Sequence, residues 1–223
     1  MSRLYLQHIP VLSTSPLFAG IAETDLPALL GCLGAEEHDY LRDEFILRAG
    51  RPITSVGVLV AGGAHIIQED YWGNRAIIAR VTPGDLFAES FCCAHVSELP
   101  VSVQALADSQ VLFLDFNRIL GVCSNACNFH STLLRNMLQV LAEKSVQLTG
   151  KLKDVSQRST REKLLSYLSR CALACGASSF DIPFNRQELA DYLAVDRSAL
   201  SAEISRMQQD GLLRYHKSHF ELL

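Results

Sequence analysis

Residues 184–211 read F-N-R-Q-E-L-A-D-Y-L-A-V-D-R-S-A-L-S-A-E-I-S-R-M-Q-Q-D-G, and this stretch decides the fold of the C-terminal part of the chain. It predicts two short helices separated by a tight turn at Ala194-Val195. Asn185, followed three residues later by Glu188, is typical of a capping box at the start of a helix. The stretch therefore has the outline of a helix-turn-helix.

The second predicted helix has one apolar side and one side of small or polar groups. Asp196 is its expected N-cap, and Gly211 is the residue expected to end it. The apolar side advances by four and three residues, as in a helix that packs on a core, and consists of Leu200, Ile204 and Met207. The opposite side needs no core, on a helix short enough to lie in a DNA major groove. It carries Arg197, Ser198, Ser201, Ala202 and Ser205.

Residues 212–223 read L-L-R-Y-H-K-S-H-F-E-L-L and follow the second helix directly. Alternating apolar and polar residues around a central Lys217-Ser218 turn predict a small β-hairpin, which would form a wing. A helix-turn-helix alone is also found in proteins that bind no nucleic acid. The wing favours DNA binding over an ordinary helical hairpin with a solvated face.

Residues 186–213 resemble, without gaps, the C-terminal winged helix-turn-helix of the CRP/FNR family of bacterial transcription regulators. Arg197 matches a base-reading position of that family and is expected to bind guanine through two hydrogen bonds. Ser198 and Ala202 stand where the best-known members commonly have Glu and Arg, so their usual operator is not implied. Further base contacts are expected from Ser198 and Ser201, and phosphate contacts from Gln187, Ser159, Thr160, His216 and Lys217.

Composition neither requires nor excludes a nucleic-acid partner. The chain of 223 residues has 20 Lys and Arg against 24 Asp and Glu, a net charge of −4. A DNA-binding face must then come from segregation of charge and not from an excess of cations. No apolar run approaches the length of a membrane span, and the first ten residues, M-S-R-L-Y-L-Q-H-I-P, lack the pattern of a secretion signal. We therefore expect a cytoplasmic protein that does not contact membranes.

Seven cysteines are present, an odd number without a C-x-x-C motif, which argues against a disulfide framework or a zinc ribbon. Cys123 and Cys127, and likewise Cys171 and Cys175, are four residues apart and share a face if they are helical. Such pairs could hold a metal or form a redox switch, but free cysteines are also among the most buried residues. We favour packing and predict no metal and no cofactor. Iron-sulfur members of the resembling family carry clustered N-terminal cysteines, and this chain has none before Cys32.

Residues 35–116 have a different sequence pattern from the rest of the chain, because short β-type runs alternate there with glycine and proline turns. The runs lie at 45–50, 55–63, 65–70, 76–81, 101–106 and 111–116. Strands at this spacing predict a sandwich or barrel, here a double-sheet jelly roll.

Residues 84–102 interrupt that rhythm and correspond in position to the phosphate-binding cassette of the cyclic-nucleotide-binding barrels that the chain resembles. Gly84 and Glu89 match the cassette, but its arginine position falls at Leu99-Pro100, and no Arg or Lys occurs from residue 85 to 110. A buried phosphate without a fixed cation would be strongly unfavourable, so we expect a small-molecule effector other than a cyclic nucleotide. The expected effector pocket comprises Gly84, Glu89, Ser90, Leu99, Pro100, Val101, Leu141 and Ser145.

A long helix is predicted after Phe116, with an apolar stripe that advances by four and three residues in turn through 134, 138, 141, 145, 148, 152 and 155. This 3.5-residue period is typical of a two-stranded coiled coil, although a helix packed on its own barrel is the alternative. We predict a parallel homodimer whose seam consists of Leu134, Leu138, Leu141, Leu148 and Leu152. Residues 154–160 are expected to form a polar hinge.

The predicted architecture is α+β: an N-terminal double-sheet jelly-roll β-barrel, a long dimerisation helix and a C-terminal winged helix-turn-helix. The expected limits are 1–124 for the effector-sensing barrel, 125–156 for the dimerisation helix and hinge, and 157–223 for the DNA-binding domain. The expected function is transcription regulation and not catalysis, with double-stranded DNA, a second copy of the chain, RNA polymerase and an unidentified small-molecule effector as partners.

Two alternatives remain open at this point. One is a regulator that senses redox state through its cysteines, or senses a metal or haem, with His65, His95 or His130 as possible axial ligands. The other is a cupin-like metalloenzyme, which would need clustered His and Glu ligands, whereas the histidines of this chain stand singly.

Overall fold

The computed structural model describes residues 7–121 and 129–223, and the chain falls into two compact units. The first consists of Met1–Gly73 with Ile78–Glu143, and the second of Asn74–Ile77 with Lys144–Leu223. Cys123, Cys127 and the expected boundary between residues 124 and 125 lie outside the described residues.

The N-terminal part begins with short helical segments and continues as β-structure. The helical segments are α1 (Ile9–Thr14), a 3-10 turn (Pro16–Phe18) and α2 (Leu26–Cys32). The elements that follow are β1 (Glu36–Tyr40), β2 (Phe45–Leu47), β3 (Ser55–Ala61), β4 (Ala64–Glu69), β5 (Arg75–Val81), β6 (Leu86–Phe87), α3 (Glu89–Cys93), β7 (Ser102–Ala105), β8 (Ser109–Asp115) and α4 (Phe116–Leu120).

The strands form two four-stranded sheets, ordered β1-β8-β3-β6 and β2-β7-β4-β5. The two sheets enclose an apolar core of Ile46, Leu59, Val81, Phe87, Val103, Ala105 and Val111. The outer face of the first sheet, with Val56, Val58, Leu112 and Leu114, packs against leucines of α1 and α2 and against Leu133 and Met137. Strands β3 and β8 are apolar on both faces because both faces are covered. This arrangement confirms the predicted double-sheet jelly roll.

An aromatic side chain fills part of the space between the sheets. A Cβ at Gly57 would overlap the ring of Phe87, so only glycine fits at that position of β3. The Phe87 ring also meets Phe113 edge to face, with centroids 6.1 Å apart. The aromatic rings of Phe87 and Phe113 therefore fill the space between the sheets beside Gly57.

Three strands and two short helices, α1 and α3, were not predicted from the sequence. Strand β1 has the polar sequence Glu36–Tyr40 and lies at an edge, paired with β8 from Glu36 to Tyr40. Strand β6 has two residues, and α3 lies in what was expected to be a loop at 84–102. The third strand is in the C-terminal part. Strands β1 and β6 lack the alternation of apolar and polar residues that identifies a half-buried strand, and β9 alternates over only three residues.

The C-terminal part consists of the end of α5 (Phe129–Val155) followed by α6 (Thr160–Cys175), β9 (Ser179–Asp181), α7 (Arg186–Leu193), α8 (Arg197–Gln209), β10 (Leu213–His216) and β11 (His219–Leu222). The three strands form one antiparallel sheet, ordered β10-β11-β9. Both predicted helices and the predicted hairpin are present, and β9 widens the wing to three strands. The buried residues of this part are Leu164, Leu168, Leu189, Leu193, Leu200, Ile204, Met207, Leu213 and Phe220.

Candidate nucleic-acid interface

The turn between α7 and α8 is fixed by local hydrogen bonds. Ala194 is in the left-handed region with φ 51°, and the N–H of Val195 donates to Ala190 at 3.0 Å, which closes the end of α7. The ammonium of Lys163 on α6 donates to the carbonyls of Leu193 and Ala194 at 3.3 Å each. A cation at these carbonyls also complements the dipole of α7.

The N-terminus of α8 is capped as the sequence predicts. The carboxylate of Asp196 accepts a hydrogen bond from the N–H of Ala199 at 2.8 Å and another from the hydroxyl of Ser198. The Ser198 hydroxyl, followed by the backbone N–H of Ala199, lowers the pKa of Asp196. Asp196 therefore remains charged and holds the first turn of α8 in place.

Arg197, the first residue of α8, is exposed, and within the described ranges its guanidinium has no hydrogen bond or ion pair. Its donors are therefore available to an external acceptor. The apolar side of α8 is completely buried, as predicted, by Leu200, Ile204 and Met207. Arg197 is exposed because it is the first residue of α8 and stands one turn before Leu200, the first residue of the helix that is buried.

The serine hydroxyls of α8 already donate within the chain. Ser201 donates to the carbonyl of Arg197 at 2.9 Å, and Ser205 donates to that of Ser201 at 3.1 Å. With its proton committed, each hydroxyl still offers acceptor lone pairs. Ser198 and Ser201 therefore present acceptors to a donor on a base edge, such as an exocyclic amino group.

Several charged residues of the C-terminal part form ion pairs with one another. Arg161 binds Asp210 at 2.6 Å and Glu203 at 3.4 Å, and Arg206 binds Glu203 at 3.3 Å. These carboxylates belong to the second half of α8 and to its C-cap. These pairs match charges toward the C-terminal end of α8, while Arg197 and the carboxylate of Asp196 lie at its N-terminal end.

The predicted phosphate-binding residues lie at helix N-termini and on the wing. Ser159 caps α6 in a reciprocal capping box with Glu162, and Thr160 is the first residue of that helix. Gln187 lies in the first turn of α7 and donates to Asp191 at 2.8 Å. His216 and Lys217 are exposed at the tip of the hairpin, where Lys217 has φ 54°.

Arg186 is a residue of this region that the sequence did not single out. It is the first residue of α7, and its guanidinium carbon lies 4.9 Å from the ring centre of Tyr215 and 5.1 Å from that of Phe220. Burial lowers the pKa of Arg186, which the Tyr215 hydroxyl opposes. Arg186 thus joins α7 to the wing. An arginine directly after a helix cap, with aromatic residues in the hairpin, was the available signal.

A buried acidic residue at the end of α5 was also missed. Asp154 is fully buried and accepts hydrogen bonds from Arg170 at 2.6 and 3.0 Å and from Ser166 at 2.7 Å. Arg170 in turn donates to the hydroxyl of Tyr192 at 3.3 Å. Asp154 was expected only as part of a polar hinge, whereas its buried carboxylate ties α5 to α6 and Arg170 extends the tie to α7.

Asp154, Arg170 and Tyr192 form a junction between α5, α6 and α7. Gly150 and Lys151 of α5 also contribute to it. A Cβ at Gly150 would lie 3.2 Å from Cδ of Arg170, so glycine lets the arginine stem pass close to α5. The ammonium of Lys151 lies 4.4 Å from the ring centre of Tyr192 and donates to the carbonyl of Ile77. Burial lowers the pKa of Lys151 to about 8.

Some of the expected effector residues are buried and others are exposed. Glu89, at the start of α3, is buried, and so are Leu99 and Val101, whereas Ser90 and Pro100 are exposed. Gly84 has φ 93° and faces Thr14 and Ser15, at 3.6 and 3.8 Å from the position of a Cβ. Leu141 is half-buried against the first unit's core, and Ser145 is exposed on α5.

A groove in the first unit does not coincide with the expected effector residues. It measures about 370 Å³ and is lined by Gly34, Glu36, Thr54, Ser55, Phe113, Asp115, Asn117 and Arg118. None of the expected effector residues lines it. Across residues 7–121 and 129–223, no three His, Cys, Asp or Glu side chains come together to hold a metal ion.

Comparison with known proteins agrees with this geometry. A family model described as a cyclic nucleotide-binding domain matches residues 37–126, and one described as a Crp-like helix-turn-helix domain matches residues 162–223. The transcriptional activator Anr of Pseudomonas aeruginosa is 24% identical over 177 residues, covering 77% of this chain and 70% of Anr. FnrL of Cereibacter sphaeroides is 23% identical over 187 residues, covering 78% and 71%.

Solved structures show the same fold. The regulator CLP of Xanthomonas campestris, described as responsive to c-di-GMP, has a TM-score of 0.73 at 15% identity, covering 90% of this chain and 99% of CLP. FixK2 of Bradyrhizobium japonicum has a TM-score of 0.64 at 19% identity, covering 84% and 92%. Within the described residues no helix has the length and hydropathy to span a bilayer.

The fold and the exposed first turn of α8 define a transcription regulator with a DNA-binding helix-turn-helix. The chain belongs to the CRP/FNR family of transcription regulators, as its two domain matches and its relatives show.

Proposed function

We propose that two copies of the chain pair along α5 and bind a palindromic operator. The observation that carries the proposal is the exposed, uncommitted guanidinium of Arg197 at the N-terminus of a capped and packed α8. Helix-turn-helix proteins contact base edges with this part of the second helix. Twofold pairing would place two such helices at half-sites about 34 Å apart, one turn of DNA.

The pairing surface is the apolar stripe of α5. Leu138, Leu148 and Leu152 expose 69%, 51% and 65% of their surface, while Leu134 and Leu141 are half-buried. The face that packs on the first unit carries Leu133, Met137 and Val140, and Leu141 lies at the border between this face and the stripe. A helix that buries one face and exposes leucines every 3.5 residues on another is typical of a coiled-coil seam.

Base and phosphate contacts divide between two sets of residues. Arg197 binds guanine O6 and N7, and Ser198 and Ser201 accept from neighbouring base edges. The phosphate contacts, which set position and register, come from Gln187, Ser159, Thr160, His216 and Lys217. The DNA-binding domain extends over 157–223, the dimerisation helix and hinge over 125–156, and the sensing domain over 1–124.

The effector is a small molecule other than a cyclic nucleotide, and the pocket contains Glu89 with Leu99 and Val101. The sequence has no Lys or Arg from residue 85 to 110, so no cation is available there to neutralise a buried phosphate. The protein acts in the cytoplasm, without catalysis, and RNA polymerase is the partner through which bound regulator affects transcription.

Replacing Arg197 with alanine tests the base-reading role. The change should remove about 1–3 kcal/mol of discrimination against a wrong base pair, because one bidentate contact is lost, and should leave salt-dependent non-specific binding. Operator sequences selected from random DNA by wild-type protein supply the probe, and the measurement is affinity for the operator and for a scrambled duplex.

Arg206→Ala is the matched control, since Arg206 is exposed on the same helix but is paired with Glu203. It should retain the operator preference. If Arg197→Ala prefers the operator over the scrambled duplex as strongly as wild type does, the assignment of Arg197 is refuted.

Cyclic AMP should neither bind nor change operator affinity. Isothermal titration of the purified protein with cyclic AMP measures this directly. A saturable heat at one equivalent per chain would show that a cation outside residues 85–110 neutralises the phosphate, and the proposed effector class would be wrong.

A further inference from the structure

The last turn of α6 carries two thiols in different surroundings. Cys171 is half-buried and Cys175 is exposed, and both are free. Residues four apart on a helix have Cβ atoms about 5–6 Å apart on the same face. The expectation that these cysteines are packed in the interior is therefore not met at Cys175, which has no core to fill.

The half-buried thiol adjoins the α5–α6–α7 junction. Burial raises the pKa of Cys171, while a hydrogen bond with the Tyr167 hydroxyl and the charge of Arg170 act in the opposite direction. Arg170 lies 5.4 Å from the ring centre of Tyr167 and holds Asp154 at 2.6 Å. A change of charge at Cys171 would therefore act on the same guanidinium that ties α5 to α6.

The exposed thiol belongs to the last residue of α6. Gly176 terminates the helix in the left-handed region with φ 66°, and a Cβ placed there would meet no atom within 4 Å. The thiol of Cys175 is exposed to solvent there. No third metal-ligating side chain joins the pair in the parts of the chain that are described. A tetrahedral ion such as zinc is thus poorly matched.

We propose that Cys171 and Cys175 form a two-coordinate site for a soft monovalent cation, Cu⁺. Thiolates select Cu⁺ over harder ions. Binding converts one Cu⁺ and two thiols into a bis-thiolate complex with a net charge of −1 and releases two protons, with no change of oxidation state. The new anion competes with Asp154 for Arg170 and loosens the junction between α5 and α6. The site does not depend on operator binding.

The test titrates reduced, full-length protein anaerobically with Cu⁺ against bicinchoninate. Cys123 and Cys127 are replaced with serine beforehand so that the second pair cannot contribute. One Cu⁺ per chain should be withdrawn from the chelator. Removing a residue that only contacts a metal ligand weakens metal binding by about 10–100-fold. Cys171→Ser or Cys175→Ser removes a ligand itself and should weaken Cu⁺ binding by more than this. Cys32→Ser, a change in a single half-buried thiol, is the control and should bind as before.

Hydrogen exchange of residues 150–158, with and without Cu⁺, measures the effect on the junction. Exchange should accelerate on Cu⁺ binding and should not respond in Cys175→Ser, whose folding is checked by circular dichroism. Undiminished Cu⁺ affinity in either serine variant would overturn the site. Stoichiometric binding without any change in exchange would overturn the coupling to Arg170. Neither result depends on DNA, so failure here is distinct from failure of the proposed operator binding.

Discussion

The buried pair of Asp154 and Arg170 should respond unequally to loss of either partner. Asp154 is fully buried, whereas the side chain of Arg170 is 40% exposed. In Arg170→Ala the carboxylate loses two of its hydrogen bonds, at 2.6 and 3.0 Å, and keeps that of Ser166. In Asp154→Ala the guanidinium can turn toward water and keep its contact with Tyr192.

The expected magnitudes follow from this asymmetry. Arg170→Ala leaves an uncompensated buried charge and should lower the free energy of unfolding by about 3–5 kcal/mol. Asp154→Ala leaves a partly solvated cation and should cost about 1–3 kcal/mol, the range for an unsatisfied polar group. The double variant should be more stable than the sum of the two losses predicts, by about 0.5–3 kcal/mol.

Urea unfolding followed by circular dichroism at 222 nm, at one fixed protein concentration, measures these differences. Arg214→Ala is the control, because Arg214 and Glu221 form an exposed pair at 3.5 Å, and its loss should cost less than about 1 kcal/mol. The reasoning is refuted if Asp154→Ala is more damaging than Arg170→Ala, or if the two losses add within about 0.5 kcal/mol.

Two further predictions concern α5. Leu148→Glu should give monomers by light scattering, because it places a charge on the exposed apolar stripe. Val146→Glu, at an exposed position off the stripe, is the control and should remain dimeric. A dimeric Leu148→Glu protein would exclude the seam. Lys151 has a pKa of about 8 in the folded chain against its usual 10.5, so between these values the unfolded chain binds more protons and a rise in pH favours folding. The free energy of unfolding of wild type relative to Lys151→Met should therefore rise from pH 7 to pH 10 in urea melts, and a flat or falling difference would contradict the burial of the ammonium.

Local signals predicted the C-terminal helices almost to the residue. Asn185 and Asp196 cap α7 and α8 through atoms within three residues, and Gly211 with φ 74° follows the end of α8. Capping and helical periodicity depend on neighbours in sequence, so the bounds of α7 and α8 and the buried positions of α8 could be predicted.

Pairing between distant segments could not be predicted in the same way. Strand β1 is polar and exists because Glu36–Tyr40 pairs with β8, about seventy residues further along the chain. Strand β9 likewise depends on β11. A short polar edge strand carries no apolar alternation, so only its partner identifies it.

The sequence by itself determined the order of elements, the helix-turn-helix with its caps, the leucine stripe and the absence of a cation in the expected phosphate loop, since each follows from residues close together along the chain. Tertiary structure alone decided that Asp154 is buried against Arg170, that Arg186 joins α7 to the rings of the wing, and that Cys175 is exposed while Cys171 adjoins the junction. These contacts join side chains on separate elements or depend on which helix face is covered, and burial and partner choice are properties of the packed chain.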